Sequence, residues 1–453
     1  MTTLWAEWAL LPTGWARHVA VEMAGGRVIR VTRDCDPVGE RLGILLPAPA
    51  NAHSHAFQRA MAGLTERRGP NPNDSFWTWR QLMFRFLDRL DPDQIEAIAA
   101  FVQMEMLEAG YACNVEFHYL HHAPGGVPYA DLAETSARIA AAAETSGIGL
   151  TLLPVHYQFG GLDQRPLGPG QIRFGNDLDR FARLYDGTGK AIGRLGPDSR
   201  LGLAPHSLRA VRAEDLAPLR AMAGGAPFHM HLAEQIAEVE EVRAATGQRP
   251  VNWVLEHLLP GPDCCFIHCT QMTPEETEGL ARSGAVAGLC PITESSLGDG
   301  IFEGLRWFGA GGAVAIGSDS NIRIALAEEL RTLDYSQRLR DHSRAALATA
   351  ELSTGRRLFQ AACAGGAQAA GRASGAIAEG NWADLMALDA EHVDLAGRSG
   401  DTLLDAWIFA GDDRMVTDVW SAGRHLVREG RHIRREAIVA AYRKATASLM
   451  EAL

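Results

Sequence analysis

The chain has 453 residues, 47% of them apolar and 22% charged, and a net charge of −12. A globular chain of this length buries enough surface to fold without disulfide staples, and a barrel with insertions can occupy it as one catalytic unit. Only two lysines occur, Lys190 and Lys444, and no basic block stands out, which argues against a nucleic-acid or anionic-membrane partner.

In chain order, the N-terminal segment MTTLWAEWALL has neither a basic region nor a long apolar run, so no signal peptide is expected. Residues 1–47 read as short β segments, WAEWALL, HVAVEMA and RVIRVT, with Gly25-Gly26 as a hairpin turn. From about residue 45 the rhythm changes, and β-rich runs alternate with Ala/Leu/Glu/Arg stretches of helical period. The runs are GILLPAPANAH, ACNVEFHYL, GLTLLPVH, RLGLAPHSL, PFHMHLA, CCFIHCT, AVAGLCP and AVAIGSD. Eight β/α units that close on themselves predict a (β/α)8 TIM barrel. The polar stretch 65–75 (TERRGPNPNDS) reads as a loop over the barrel mouth. Beyond residue 370 the β character returns in GAIAEG, ADLMALD, MVTDVWSAG and HLVREG, and a last helix is expected from about 435 to 450. These late segments are expected to pair with residues 1–47 in a small β-sandwich built from both chain ends. The predicted division is 1–47, the barrel 48–367, and 368–453. The seven cysteines are scattered, with no C-x-x-C pair, which suits a reducing cytoplasm and speaks against a zinc ribbon. No stretch reaches the ~20 apolar residues of a membrane span.

Barrel enzymes carry their chemistry at the C-terminal ends of the strands. The first strand ends in His53-Ser54-His55, and strand alternation puts both imidazoles on one face, where they can grip one metal. The fifth strand holds His229 and His231, with Glu234 three residues further on. His231 reads as a ligand and Glu234 as a proton carrier beside it, whereas His229 reads as a hydrogen-bonded residue one layer deeper. The sixth strand ends in His268 and the eighth in Ser318-Asp319. Taken singly, His268 could be structural and Asp319 a helix cap. Together, three imidazoles and a carboxylate suit zinc with a position left for water, whose pKa such an ion lowers toward ~7.

The order H-x-H, H-x-x-E, His, S-D resembles the amidohydrolase superfamily in its deaminase branch, and the likeness extends to G-x-x-A-D-L at 380–385. It implies metal ligands His53, His55, His231 and Asp319, with Glu234, His268 and Asp319 as catalytic groups. Two-metal members bridge their ions with a carboxylated lysine. Neither lysine here ends a predicted strand and the fourth ends in His206, so one zinc per subunit is expected. The segments HSHAFQ, FWTWR, EFHYLHH, APHSLR, HMHLAEQ, IHCTQM, CPITESSLGDG and IGSDSN resemble the N-formimino-L-glutamate deiminase family of histidine degradation. That likeness implies Gln58 near the formimino group, and Arg80, Tyr119, His206 and Arg209 around the substrate carboxylates. It also implies a homodimer. The competing expectations are a purine or S-adenosylhomocysteine-type deaminase, hydrolysis that releases formamide, and an inactive barrel scaffold. A second metal among His118, His121 and His122 is disfavoured because adjacent residues alternate faces. His156, Ser295, Ser296 and Asp299 read as pocket lining or plain structure, and Trp77 and Trp79 as packing for the mouth loop.

Overall fold

The computed structural model describes residues 1–66 and 76–452. The expected mouth loop therefore falls largely outside the described residues. Strands β1 (Thr2–Leu11), β2 (Gly14–Ala24), β3 (Arg27–Thr32) and β4 (Glu40–Pro47) open the chain. The β2–β3 hairpin turns on Gly25 and Gly26, whose φ values of 58° and 79° only glycine adopts without strain.

The barrel strands follow: β5 (Ala50–Ser54), β6 (Cys113–His118), β7 (Gly149–His156), β8 (Arg200–Leu201), β9 (Ala204–Pro205), β10 (Phe228–Leu232), β11 (Cys264–His268), β12 (Val286–Leu289) and β13 (Ala313–Ile316). Each pairs in parallel with its neighbour, in two runs, β5-β6-β7-β8 with β9 also on β7, and β10-β11-β12-β13. Single parallel bridges, Leu203 to Phe228 and Ser54 to Asp319, join the runs and close the barrel. The fourth predicted strand is observed as two short pieces, β8 and β9, broken at Gly202. A Cβ there would lie 2.3 Å from Leu153 and 2.6 Å from the Pro227 carbonyl, so only glycine lets these backbones approach. The first predicted run also divides. Its front half, β4, belongs to the end-built sheet and its back half, β5, to the barrel.

The chain returns through β14 (Leu385–Leu388), β15 (Val416–Ser421), β16 (Arg424–Arg428) and β17 (Arg431–His432). Both chain ends form one eight-stranded mixed sheet, ordered β17-β16-β15-β14-β4-β1-β2-β3. Leu4, Val19, Val21, Val28, Leu45, Leu385 and Trp420 pack as one cluster on one face, while Leu10, Ile44, Leu46, Met386 and Leu388 on the other face join the barrel core, so the central strands are buried on both sides. GAIAEG is not a strand. Left-handed glycines at both its ends, Gly375 and Gly380, take the backbone out of the ladder. The last helix is Arg435–Ala452. No described helix is long and apolar enough to cross a membrane. All seven cysteines are free thiols.

A buried ion network ties sheet to barrel. Arg372 lies between Asp384, at 2.6 Å, and Asp198, at 3.2 Å, and Arg424 closes on Asp198 at 2.6 Å. Burial alone would weaken the Arg372 cation, but Asp384 and Asp198 hold it charged. Substitution Arg372→Met leaves Asp384 buried without its partner and should cost about 3–5 kcal/mol. The exposed pair Arg431–Glu436 is the control, for which removal of either partner should cost about 0–1 kcal/mol. Thermal unfolding of both variants checks this, and equal shifts would refute it.

Candidate active site

The C-terminal ends of the barrel strands build one polar cluster. β13 approaches β5 through Gly317, where a Cβ would sit 2.8 Å from the His53 backbone. The His53 carbonyl then accepts the amides of Ser318 and Asp319, at 3.0 and 2.9 Å, and the His55 amide donates to the Asp319 carbonyl at 2.9 Å. Asn321 staples the same junction by donating to Ser54, His55 and Asp319. From β6, Glu116 accepts the Ala56 amide at 2.7 Å, fixing the chain just after His55. Ala233, His268, Cys269 and Asp319 all hold φ between 46° and 73°. Such left-handed conformations cost non-glycine residues about 1–3 kcal/mol each and gather at functional sites.

These constraints bring three ring nitrogens together. His53 Nε2 lies 3.1 Å from His55 Nε2 and 3.1 Å from His231 Nε2. The Nδ1 of His55 is 2.9 Å from the Phe117 carbonyl, and that of His231 is 3.1 Å from the His206 carbonyl. A carbonyl accepts only, so each Nδ1 carries the proton and each Nε2 presents a lone pair to the cluster. Burial holds all three rings far below the usual imidazole range, His55 at about 3, so they are neutral. Asp319 Oδ1 completes the set, 3.3 Å from His55 Nε2 and 3.6 Å from His53 Nε2. Lone pairs turned toward one another repel, and a shared cation removes the repulsion. The three imidazoles therefore fit a metal ion, and with Asp319 beside them the residues that hold it would be His53, His55, His231 and Asp319.

Beside this cluster stand the two remaining predicted catalytic groups. His268 Nε2 is 3.9 Å from Asp319 Oδ2 and 3.9 Å from Glu234 Oε1. Burial would depress the His268 imidazole, but Glu234, Glu294 and Asp319 hold it well above its ordinary range. Burial lifts the Asp319 carboxyl to about 7, with His268 opposing and Glu234 and Glu294 adding to the rise.

A cavity opens onto the cluster and is lined by every predicted substrate residue: Gln58, Arg80, Tyr119, His206 and Arg209. Gln58 Nε2 donates to the Tyr119 hydroxyl at 2.9 Å, and its Oε1 is buried with no partner. Arg80 donates to the Tyr157 hydroxyl at 2.8 Å, and Arg209 lies 3.9 Å from Glu234. Trp79 lines the cavity as well, which sequence had assigned to loop packing, while the Trp77 side chain lies outside the described set.

Four further barrel histidines have hydrogen-bond partners, whereas His156, whose ring nitrogens have none, makes a ring contact. His118 meets Thr135, His121 the Val155 carbonyl and His122 the Gly175 carbonyl, and none of them belongs to a metal-competent group among the described residues. His229 is bonded to the Ala369 carbonyl at 2.8 Å, and His156 packs on Phe181. Ser295 caps back onto Pro291, and Asp299 accepts from Gln235.

Sequence reading missed three groups. Glu294 accepts the Cys290 amide at 2.9 Å and faces His268 Nδ1 at 3.3 Å. Glu238 accepts the amides of Ala233 and Glu234, setting the turn that aims Glu234. Tyr157 follows His156 and lines the cavity. The available signal was position, since Tyr157 directly follows β7 and Glu294 sits in the short helix Pro291–Leu297 that follows β12. Glu294→Gln should lower kcat about 10–100-fold, the usual scale for a carboxylate that orients an imidazole at a metal site, with KM little changed. Steady-state kinetics checks it, and an unchanged kcat would remove Glu294 from the catalytic array.

Residues 44–426 match the profile of the Amidohydrolase family. The chain belongs to the amidohydrolase family. Residues 1–41 match the formimidoylglutamate deiminase HutF N-terminal domain. This amidohydrolase is 47% identical, over 100% of both chains, to a formimidoylglutamate deiminase of Pseudomonas aeruginosa. It is 25% identical to a 5'-deoxyadenosine deaminase of Methanopyrus kandleri, covering 88% of this chain and 84% of that one. Among solved structures, an amidohydrolase from Brucella melitensis superposes with a TM-score of 0.96 at 45% identity, covering 99% of this chain and 100% of that one. An adenosine deaminase from Xanthomonas campestris with bound zinc shares the fold, with a TM-score of 0.82 at 22% identity and coverage of 99% and 98%.

Proposed function

We propose that this amidohydrolase converts N-formimino-L-glutamate to N-formyl-L-glutamate and ammonia, a reaction of histidine breakdown. One observation carries the reading. The cavity that reaches the four-donor cluster also holds two arginines, Arg80 and Arg209, on its other walls. Guanidinium groups orient carboxylates by paired hydrogen bonds, which a nucleoside substrate does not need. The full-length likeness to a formimidoylglutamate deiminase supports the same substrate.

The donor set suits one zinc ion, which when bound lowers the pKa of a water and polarises the carbon under attack. Asp319 takes a proton from the attacking water, since its second oxygen faces His268 rather than the imidazole trio. His268, steered through Nδ1 by Glu294, donates toward the oxygen of the tetrahedral species. Glu234 protonates the imino nitrogen as water adds, the proton taken by Asp319 and the proton of the tetrahedral hydroxyl supply the two that this nitrogen needs, and the C–N bond breaks so that ammonia leaves and the formyl group stays on the substrate nitrogen. The unpaired Gln58 Oε1 accepts from the formimino N–H. Arg80, Tyr119, His206 and Arg209 hold the carboxylates.

Incubation of the protein with N-formimino-L-glutamate and identification of the products tests the proposal. Ammonia with N-formylglutamate is expected, formamide with glutamate would reverse the assigned cleavage, and turnover of adenosine-type substrates alone would overturn it. The same reading carries a homodimer in the cytoplasm and the division of the chain into 1–47 with 368–453 around a barrel of 48–367. Light scattering tests the dimer.

A further inference from the structure

We propose that the Tyr157 hydroxyl donates a hydrogen bond to one substrate carboxylate, as a binding group in its own right beside Arg80 and Arg209. The inference rests on the dicarboxylate reading above. A phenol oxygen offers one proton and two lone pairs. The Tyr157 oxygen accepts from Arg80 at 2.8 Å and from Gln171 Nε2 at 2.9 Å. Both partners are donors only: guanidinium has no acceptor, and the Gln171 amide is oriented because its Oε1 accepts the Gly168 amide at 3.3 Å. Both lone pairs are thus taken, and the proton must point in the remaining direction. Among the described residues no acceptor receives it.

The surroundings limit where that direction leads. Tyr157 is 2% exposed, and its ring packs on His206 at 4.6 Å and on Phe174 at 5.5 Å between centroids. All three residues line the same cavity as Arg80 and Arg209. A buried hydroxyl whose proton lacks an acceptor carries a desolvation cost that an incoming anion removes. The anion must be planar and acceptor-only to satisfy the phenol and a guanidinium together, which describes a carboxylate. Gln171 is then a positioning residue. By filling one lone pair it prevents the phenol from turning its proton back toward the protein.

Tyr157→Phe removes the donor and keeps the ring. With N-formimino-L-glutamate, KM should rise about 10-fold or more while kcat stays within about 2-fold, as expected for a hydrogen bond to a charged group made equally in ground and transition states. Inhibition by glutarate, which has no reacting group, should weaken by a similar factor. Because the variant could act only by loosening Arg80, the same change is made on an Arg80→Met background. A further loss in kcat/KM there shows a contact of its own, and no further loss would reduce Tyr157 to a support for Arg80 and overturn the proposal. An unchanged KM in Tyr157→Phe overturns it as well. If the unsubstituted enzyme does not turn over N-formimino-L-glutamate, the proposed function fails instead, and direct binding of glutarate by calorimetry, weaker in Tyr157→Phe if the contact exists and equal if it does not, still judges the carboxylate contact.

Discussion

Glu234→Gln is expected to reduce kcat by about 10²–10⁴-fold, the worth of a positioned proton carrier, while bound metal stays at the level of the unsubstituted enzyme. The glutamate is buried at 5% exposure, yet it is not one of the cluster's donors. Its carboxylate lies 3.9 Å from both His268 and Arg209, between the proton chemistry and the substrate-holding wall. Glutamine keeps the shape and loses the exchangeable proton, so binding should persist and turnover should not. The backbone amides held by Glu238 do not depend on the residue 234 side chain, so the turn should survive the change. Kinetics with metal analysis on the same preparation decides the matter. Near-normal kcat would dismiss Glu234 as proton carrier, and parallel loss of metal would move it into the ligand set.

Stripping the metal with a chelator should abolish activity, by more than about 10³-fold, because water returns from a pKa near 7 toward its bulk value of about 15.7. Added zinc should restore it, at a stoichiometry of one per chain. His231→Ala should give the same loss without rescue. The reason lies in the tautomers. The Phe117 and His206 carbonyls lock Nδ1–H on His55 and His231, leaving their Nε2 lone pairs turned inward at the cluster. A cluster wired this way has one chemical use, and retained activity after complete metal removal would contradict it.

Much of the barrel was legible because its strands end in polar residues at regular intervals, and period-two alternation states which of them share a face. His53 with His55, and His231 with Glu234 just beyond, could be paired from local spacing alone. The resemblance of whole motifs added Arg80, Tyr119, His206 and Arg209, and the structure brings all four to one cavity. Two of the features that escaped show why. GAIAEG read as a strand because its composition is apolar, whereas its flanking glycines hold left-handed backbone. Tyr157 was passed over because β7 is buried on both faces, so neither face announces itself as the cavity side.

What the sequence determined by itself is therefore the strand-by-strand supply of ligands and proton carriers, since those depend on local periodicity and on residue chemistry. Only the tertiary structure decided which lone pairs meet, which carboxylate steers His268 and where the Tyr157 proton must point. Those outcomes depend on counting hydrogen-bond partners contributed by strands and loops as far apart as Asn51 and Ser318, whose side chains meet at 2.7 Å. Barrel closure imposes such contacts, and no local spacing encodes them.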